Sequence, residues 1–109
     1  MGGKGEKMTL EKIQAIRDYL LQHFPSAGHF DEEDFERKSH KFMIGIKDQI
    51  LIIAFDRVCI EHNETEILRK ALEEQKVTDL LKSNPKSIVS VKCCGNGGQR
   101  IGCKVEPRN

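Results

Sequence analysis

The chain has 109 residues, of which 38% are hydrophobic and 32% charged, and its net charge is +1. A chain of this length buries roughly two-thirds of the surface that it exposes when unfolded, which suits a single core. Its densest apolar run, residues 50–55, is far shorter than the roughly 20 residues that cross a bilayer, and no apolar leader follows Met1.

We therefore expect a cytoplasmic protein without membrane contact, with a flexible tail over residues 1–7 and one domain over residues 8–109.

The first predicted element of that domain is an amphipathic helix from Thr9 to His23, because its apolar residues recur at spacings of three and four. Pro25 ends this helix, since the residue before a proline is pushed out of helical geometry.

Residues 29–41 are crowded with charge and show no clean periodicity, so we predict a loop there, with at most one helical turn beginning at Asp31. A β-hairpin follows over residues 42–55, where apolar side chains alternate on both sides of a turn near Asp48. One face of this hairpin carries Phe42, Ile44, Ile46, Leu51, Ile53 and Phe55.

The other face of the hairpin is also apolar and carries Met43, Ile50, Ile52 and Ala54. Because contiguous exposed apolar patches of several hundred Å² are uncommon in monomers, this face predicts a cover, either a helix or another subunit. Beyond Phe55 the alternation changes phase, which predicts a bulge or a break at Asp56–Arg57.

A second helix is predicted from the capping box that Asn63 and Glu66 form ahead of an apolar run. The apolar spacing then jumps by five residues, which predicts a kink or a separate short helix at residues 75–78. Asn84 and Pro85 end this part of the chain.

The last predicted element is a C-terminal hairpin with a three-residue loop at residues 96–98. Its register pairs Val89 with Val105, Val91 with Cys103 and Cys93 with Ile101, so that every apolar residue faces another. The resulting order is α-β-β-α-β-β, which predicts an α+β fold with a four-stranded, largely antiparallel sheet and two main helices.

The same register gathers Lys92, Arg100 and Lys104 on the opposite face of this hairpin. Residues 82–109 carry six Lys and Arg against one acidic residue, so this end of the chain is basic. Such a face can bind phosphates of nucleic acid, although no aromatic side chain is interleaved for base stacking. A solvated hairpin face explains the same residues.

The chain has four cysteines and no export signal, so we expect free thiols. Cys59, His62, Cys93 and Cys103 offer enough soft ligands for a zinc ion, but their spacing lacks a Cys-x-x-Cys knuckle. Small buried hydrophobes are the simpler interpretation of these cysteines. We predict no cofactor.

No set of residues in the sequence converges on a recognisable catalytic arrangement, so an enzyme is not expected. The leading hypothesis is a small non-enzymatic domain that binds a protein partner or forms a homo-oligomer through Met43, Ile50, Ile52 and Ala54. The alternatives are a nucleic-acid-binding module that uses Lys92, Arg100 and Lys104, and a small zinc-binding domain.

Overall fold

A computed structural model describes residues 3–94 and 100–108 of the chain. It confirms the α+β class and the leading helix. The elements in chain order are α1 (Gly3–His23), β1 (Gly28–Asp34), β2 (Ser39–Ile46), β3 (Gln49–Asp56), α2 (Arg57–His62), α3 (Thr65–Glu74), α4 (Val77–Ser83), β4 (Ser87–Cys94) and β5 (Arg100–Pro107).

The five strands form one mixed sheet in the order β1-β2-β3-β4-β5. The pairs β1–β2, β2–β3 and β4–β5 are antiparallel, whereas β3 and β4 run parallel. A parallel pair needs a crossover, and helices α2, α3 and α4 supply it. The sheet has five strands, so the predicted count of four is wrong. The crossover contains the unpredicted helix α2 in addition to α3 and α4.

The additional strand is β1, which occupies the charged segment predicted as a loop. Asp31 and Glu33 lie on the helix-covered side of the sheet, because they pair with Phe42 and His40 in the neighbouring strand. Asp31 forms an ion pair with Arg17 and Glu33 forms one with Arg57, and the ring nitrogens of His40 lie 2.6 Å from Asp31 and 3.4 Å from Glu33. Strand formation here depends on partners far away in the sequence, which the local pattern does not show.

Helix α1 begins at Gly3, six residues before the predicted cap Thr9, so helical backbone extends into the segment expected to be a tail. Extending an established helix costs much less than starting one, which favours this longer helix. Helix α3 begins at Thr65 with Glu64 at its N-cap, so Asn63 does not cap it as predicted. Asn63 instead lies buried against α2.

The predicted interruptions of the second half are confirmed. Helix α2 begins directly after Asp56, where the alternation changes phase, and the chain breaks between α3 and α4 at Lys76. Lys76 has the left-handed backbone angles φ 52° and ψ 48°. The predicted three-residue loop of the C-terminal hairpin lies outside the described residues.

The core lies on one side of the sheet, where strand side chains pack against all four helices. It contains Phe42 and Ile44 of β2, Leu51, Ile53 and Phe55 of β3, and Val89 and Val91 of β4, with Ile16, Leu20, Ile60, Leu68, Leu72, Val77 and Leu81 from the helices. The predicted C-terminal register is confirmed, since Val89 pairs with Val105, Val91 with Cys103 and Cys93 with Ile101.

Among the described side chains, none on the opposite side of the sheet contributes to this core. We call it the open face. Successive residues of a strand point to opposite sides, and paired residues of neighbouring strands point to the same side, so the register assigns each residue to one face. The predicted pairing of β2 with β3 is confirmed in the same way, with Met43 opposite Ile52 on the open face.

Candidate functional site

The parallel pairing of β3 with β4 joins the open sides of the two hairpins into one surface. Ile52 lies beside Ile88, and Ala54 lies beside Ser90. Ser90 in turn pairs with Lys104 of β5. The apolar set and the cationic set, which the sequence analysis treats as two separate candidates, therefore occupy the same face of one sheet.

Four apolar residues follow one another across the open face, one from each of four neighbouring strands. We call them the apolar row, and they are Phe30, Met43, Ile52 and Ile88. Phe30 is 61% exposed, and Ile50, two residues before Ile52, is 53% exposed. Covering exposed side chains of this size contributes on the order of 1.5–3 kcal/mol for each one that becomes fully buried.

A depression of about 320 Å³ lies beside the apolar row. Its floor consists of the short side chains Ser39, Ala54 and Ser90 on three neighbouring strands, whose small size leaves the space. Longer side chains surround this floor. They are Arg37, Lys38, Lys41, Asp56, Val58, Ile88, Lys92 and Glu106.

The cations around the depression differ in whether a nearby carboxylate forms an ion pair with them. The Nζ of Lys41 lies 3.2 Å from the carboxylate of Asp34. The Nζ of Lys92 lies 3.8 Å from Glu106, with both side chains solvated, so this pair contributes little. The side chains of Arg37 and Lys38 form no ion pair within residues 3–94 and 100–108. The depression is therefore lined by charges of both signs, since Asp56 and Glu106 lie among the cations.

The hydroxyl of Ser39 is buried at the floor of the depression. Ser39 is 8% exposed, and its Oγ has no hydrogen-bond partner in the described part of the chain. Ser90, on the same floor, is 5% exposed. Buried hydroxyls are normally hydrogen-bonded, so the Ser39 hydroxyl is an exception within the described part of the chain.

The backbone register places the predicted nucleic-acid-binding residues Lys92, Arg100 and Lys104 on the open face. Lys104 pairs with Ser90, and Arg100 pairs with Cys94, two residues after Lys92. The side chain of Arg100 is outside the described part of the structure. Acidic residues interrupt the surface around Lys92 and Lys104. These residues are Glu32, Asp34, Asp56 and Glu106, so the cations do not form a continuous stripe.

The predicted zinc ligands do not meet at one point. Cys59 and Cys93 form a disulfide that joins α2 to β4, with their Cα atoms 5.2 Å apart, which corrects the expectation of free thiols. His62 is exposed at the end of α2. Cys103 is a free thiol on β5, and burial raises its pKa to about 11. Among the described residues, no three His, Cys, Asp or Glu side chains are placed to hold a metal.

The disulfide could not be identified from spacing because its cysteines are 34 residues apart and belong to different elements. Asn63 completes this buried corner. Its Nδ2 donates to the backbone oxygen of Cys59 at 2.8 Å and lies 3.2 Å from the Sγ of Cys93. An amide buried in this way fixes the end of α2 against β4.

A charged cluster on the helix-covered side is the other dense group of polar side chains. The Nε2 of His40 lies 2.6 Å from Asp31, and its Nδ1 lies 3.4 Å from Glu33. Arg57 bridges Glu33 and Glu61, at 3.2 and 2.8 Å. Both ring nitrogens of His40 face carboxylates, so neither is open to a substrate as a general base requires. The cluster fixes β1 to α1 and α2.

No helix in the described residues is both long enough and apolar enough to span a membrane.

The comparisons with known proteins find no relative of this chain. No family model matches it, and neither a curated protein nor a solved structure is significantly similar to it.

Proposed function

We propose that this chain is a non-enzymatic binding domain that holds a protein partner, or a second copy of itself, on the open face of its sheet. The observation that carries the proposal is the one-sided packing of the helices. It leaves Met43, Ile50, Ile52 and Ala54 outside the core, and adds Phe30 and Ile88 to the same apolar surface.

Two features of the open face favour a protein over a nucleic acid as the partner. Its apolar residues are contiguous across four strands, which is typical of the centre of a protein interface. Its charges are mixed in sign, and Phe30 is the sole aromatic side chain that the described strands place on this face. Single-stranded nucleic acids are normally held by several stacking side chains along a basic groove.

Exposed residues provide the cleanest test, because replacing them leaves the core intact. The test variant is Phe30→Glu combined with Ile50→Glu, and the matched control is Ile67→Glu, since Ile67 is also exposed but lies on α3. Sedimentation velocity over a range of concentrations measures self-association. We expect association in the wild type and the control and a monomer in the double variant.

If the wild type is itself a monomer, the partner is a different protein. Affinity capture then compares the three forms, and the relevant proteins are those retained by the wild type and the Ile67→Glu control but lost by the double variant. A monomeric wild type that captures the same proteins as the double variant contradicts the proposal.

Nucleic-acid binding is the second candidate, supported by the position of Lys92 beside Lys41 and Lys38 at the depression. Titration with RNA and DNA oligomers at several salt concentrations tests it, because phosphate contacts release counterions and give a steep salt dependence. Lys92→Glu combined with Arg100→Glu is expected to abolish that dependence. The zinc-binding alternative is not carried further, since a disulfide removes two of its four donors.

A further inference from the structure

Two unpaired charges of opposite sign lie at opposite ends of one row of residues that crosses the open face. The register gives this row, in sheet order, as Glu32, Lys41, Ala54, Ser90 and Lys104. Glu32 and Lys104 are exposed, and neither forms an ion pair in the part of the chain that the structure describes. The row therefore has a free negative charge at its β1 end and a free positive charge at its β5 end.

The adjacent row contains a second free charge of the open face. Ser39 on β2 has Asp34 and Asp56 on the two strands beside it. Asp34 pairs with Lys41, whereas Asp56 forms no ion pair within residues 3–94 and 100–108. Because the side chain of Ser39 is short, the surface above it is lower than its surroundings and lies next to these carboxylates.

A second copy of the chain that stacks on the open face with its strands aligned has two possible orientations. Aligned sheets pack about 10 Å apart, with their strands within about 30° of each other. A two-fold axis across the strands places β1, with its carboxylates, over β1 of the second copy, and facing like charges are unfavourable. An axis along the strands places β1 over β5 and β3 over β3, so that each row faces the same row in reverse.

The axis along the strands matches the free charges of the two copies. Glu32 faces Lys104 of the second copy, and Lys104 faces its Glu32. The rotation of about 30° between the sheets displaces these edge residues by about 5 Å, which the long side chains of Glu and Lys can span.

The same axis also fills the low surface above Ser39. Lys92 continues the row of Ser39 on β4, so Lys92 of the second copy lies over Ser39 and beside Asp56. Its contact with Glu106 in its own copy is solvated and 3.8 Å long, so it is free to pair elsewhere. Asp56 lies on β3 and faces its own copy, and the two Lys92 side chains compensate this like-charge contact.

Apolar contacts occupy the middle of the same arrangement. Met43 faces Ile88 of the second copy, and Ile50 and Ile52 on β3 face their own copies. Strands β2 to β5 have eight residues each. Five strands about 4.8 Å apart, with about 3.3 Å for each residue, make a flat area of roughly 600 Å² on each copy. Two such faces bury about 1,200 Å², which is at the lower end for a specific interface.

We propose, on the basis of the docking function proposed above, that the partner on the open face is a second copy of this chain. The two sheets stack face to face about a two-fold axis parallel to their strands, and Glu32 of each copy pairs with Lys104 of the other. The dimer has four layers, with helices outside and the two sheets inside.

Charge reversal tests this orientation, because each copy contributes both members of the pair. Glu32→Lys and Lys104→Glu each make the facing charges alike at two places in the dimer. We expect either change to raise the dimer dissociation constant about tenfold. The double variant Glu32→Lys with Lys104→Glu restores opposite charges and should dimerise as the wild type does. Sedimentation velocity over a concentration series measures all four constants.

An equimolar mixture of the two single variants gives a second test. In a mixed dimer both facing pairs have opposite charges, so the mixture should dimerise about tenfold more tightly than either variant alone. Single variants that dimerise as the wild type does, a double variant as weak as the single ones, or a mixture no tighter than its components each overturn the proposed orientation.

The matched controls are Glu73→Lys and Lys70→Glu, which make the same charge changes at exposed positions of α3. Both should dimerise as the wild type does. An equal loss of dimerisation in the controls and the test variants shows an effect of net charge and overturns the pairing of Glu32 with Lys104.

The wild type separates a failure of this dimer from a failure of docking at the open face. A wild type that remains a monomer up to about 1 mM overturns the dimer, and the capture experiment then decides whether the open face binds a different protein. A dimer that persists in the Phe30→Glu and Ile50→Glu double variant contradicts both proposals.

Discussion

The guanidinium of Arg17 donates two hydrogen bonds, each 2.7 Å long, to the two carboxylate oxygens of Asp31. This contact joins α1 to the edge strand β1. The hydrogen bonds from Arg17 are the main reason that the pKa of Asp31 lies below its usual value, and His40 lowers it further. Strand β1 is unusual because it carries carboxylates on its covered side. The ion pair between Arg17 and Asp31 compensates one of these carboxylates.

Asp31→Asn should lower the free energy of unfolding at neutral pH by about 1 kcal/mol, because Arg17 is partly solvated and the pair is screened. A lowered pKa in the folded state stabilises the protein fully above the unfolded value of about 3.9. That contribution is lost as the pH falls below this value, so the difference between wild type and variant should vanish in acid.

Urea unfolding measured between neutral and acidic pH checks this prediction. Asp18→Asn is the control, since Asp18 is an exposed carboxylate next to Arg17 on α1. A difference between wild type and Asp31→Asn that stays constant down to acidic pH would falsify the assignment.

Replacing both Cys59 and Cys93 with alanine should destabilise the oxidised protein by about 3–4 kcal/mol, the chain-entropy effect expected for a loop of this length. A reductant should lower the unfolding midpoint of the wild type but not that of the double variant. Cys103→Ala, which retains the bridge, should respond to the reductant as the wild type does. A reductant-insensitive wild type contradicts the bridge.

Lys76→Gly should raise the free energy of unfolding by about 0.5–1 kcal/mol, although glycine normally weakens helices. Lys76 follows the C-cap of α3 in a left-handed conformation, which is unfavourable for any residue with a Cβ. Lys70→Gly, inside α3, is the matched control and should cost about 1 kcal/mol. Thermal or chemical unfolding should therefore show opposite signs for the same exchange at the two positions.

Cys103 should react slowly with alkylating reagents in the folded protein. Burial raises its pKa to about 11, so at pH 8 only about one thiol in a thousand is the reactive thiolate. Mass spectrometry after timed iodoacetamide exposure of a Cys94→Ser variant measures the rate. The same variant in denaturant should react roughly two orders of magnitude faster, and equal rates would show an accessible Cys103.

The elements with a clear period were predictable from the sequence. The faces of the first hairpin and the register of the C-terminal hairpin follow from alternating apolar residues, and the structure has the predicted pairs Val89–Val105 and Val91–Cys103. The break near Lys76 follows from the jump of five residues in the apolar spacing of the second helix. In these segments the local pattern and the tertiary packing demand the same conformation.

The parts that could not be predicted depend on residues distant in the chain. Strand β1 has charges on both sides, and its covered charges are satisfied by Arg17, His40 and Arg57 from three other elements. The disulfide depends on α2 packing against β4. The sequence indicates neither helix α2 nor its contact with β4. The depression depends on β3 pairing with β4, which brings together residues whose spacing carries no shared motif.

The pairing of β3 with β4 also has a consequence for how the candidate site comes into existence. Each hairpin can form from neighbouring residues, whereas Ala54 and Ser90 meet only after the chain has completed the crossover between them. Contacts of such high sequence separation are slow to form. Arg37, Lys38 and Ser39 lie in one half of the chain and Lys92 in the other. A fragment of either half therefore lacks the complete depression, which forms only when the whole domain has folded.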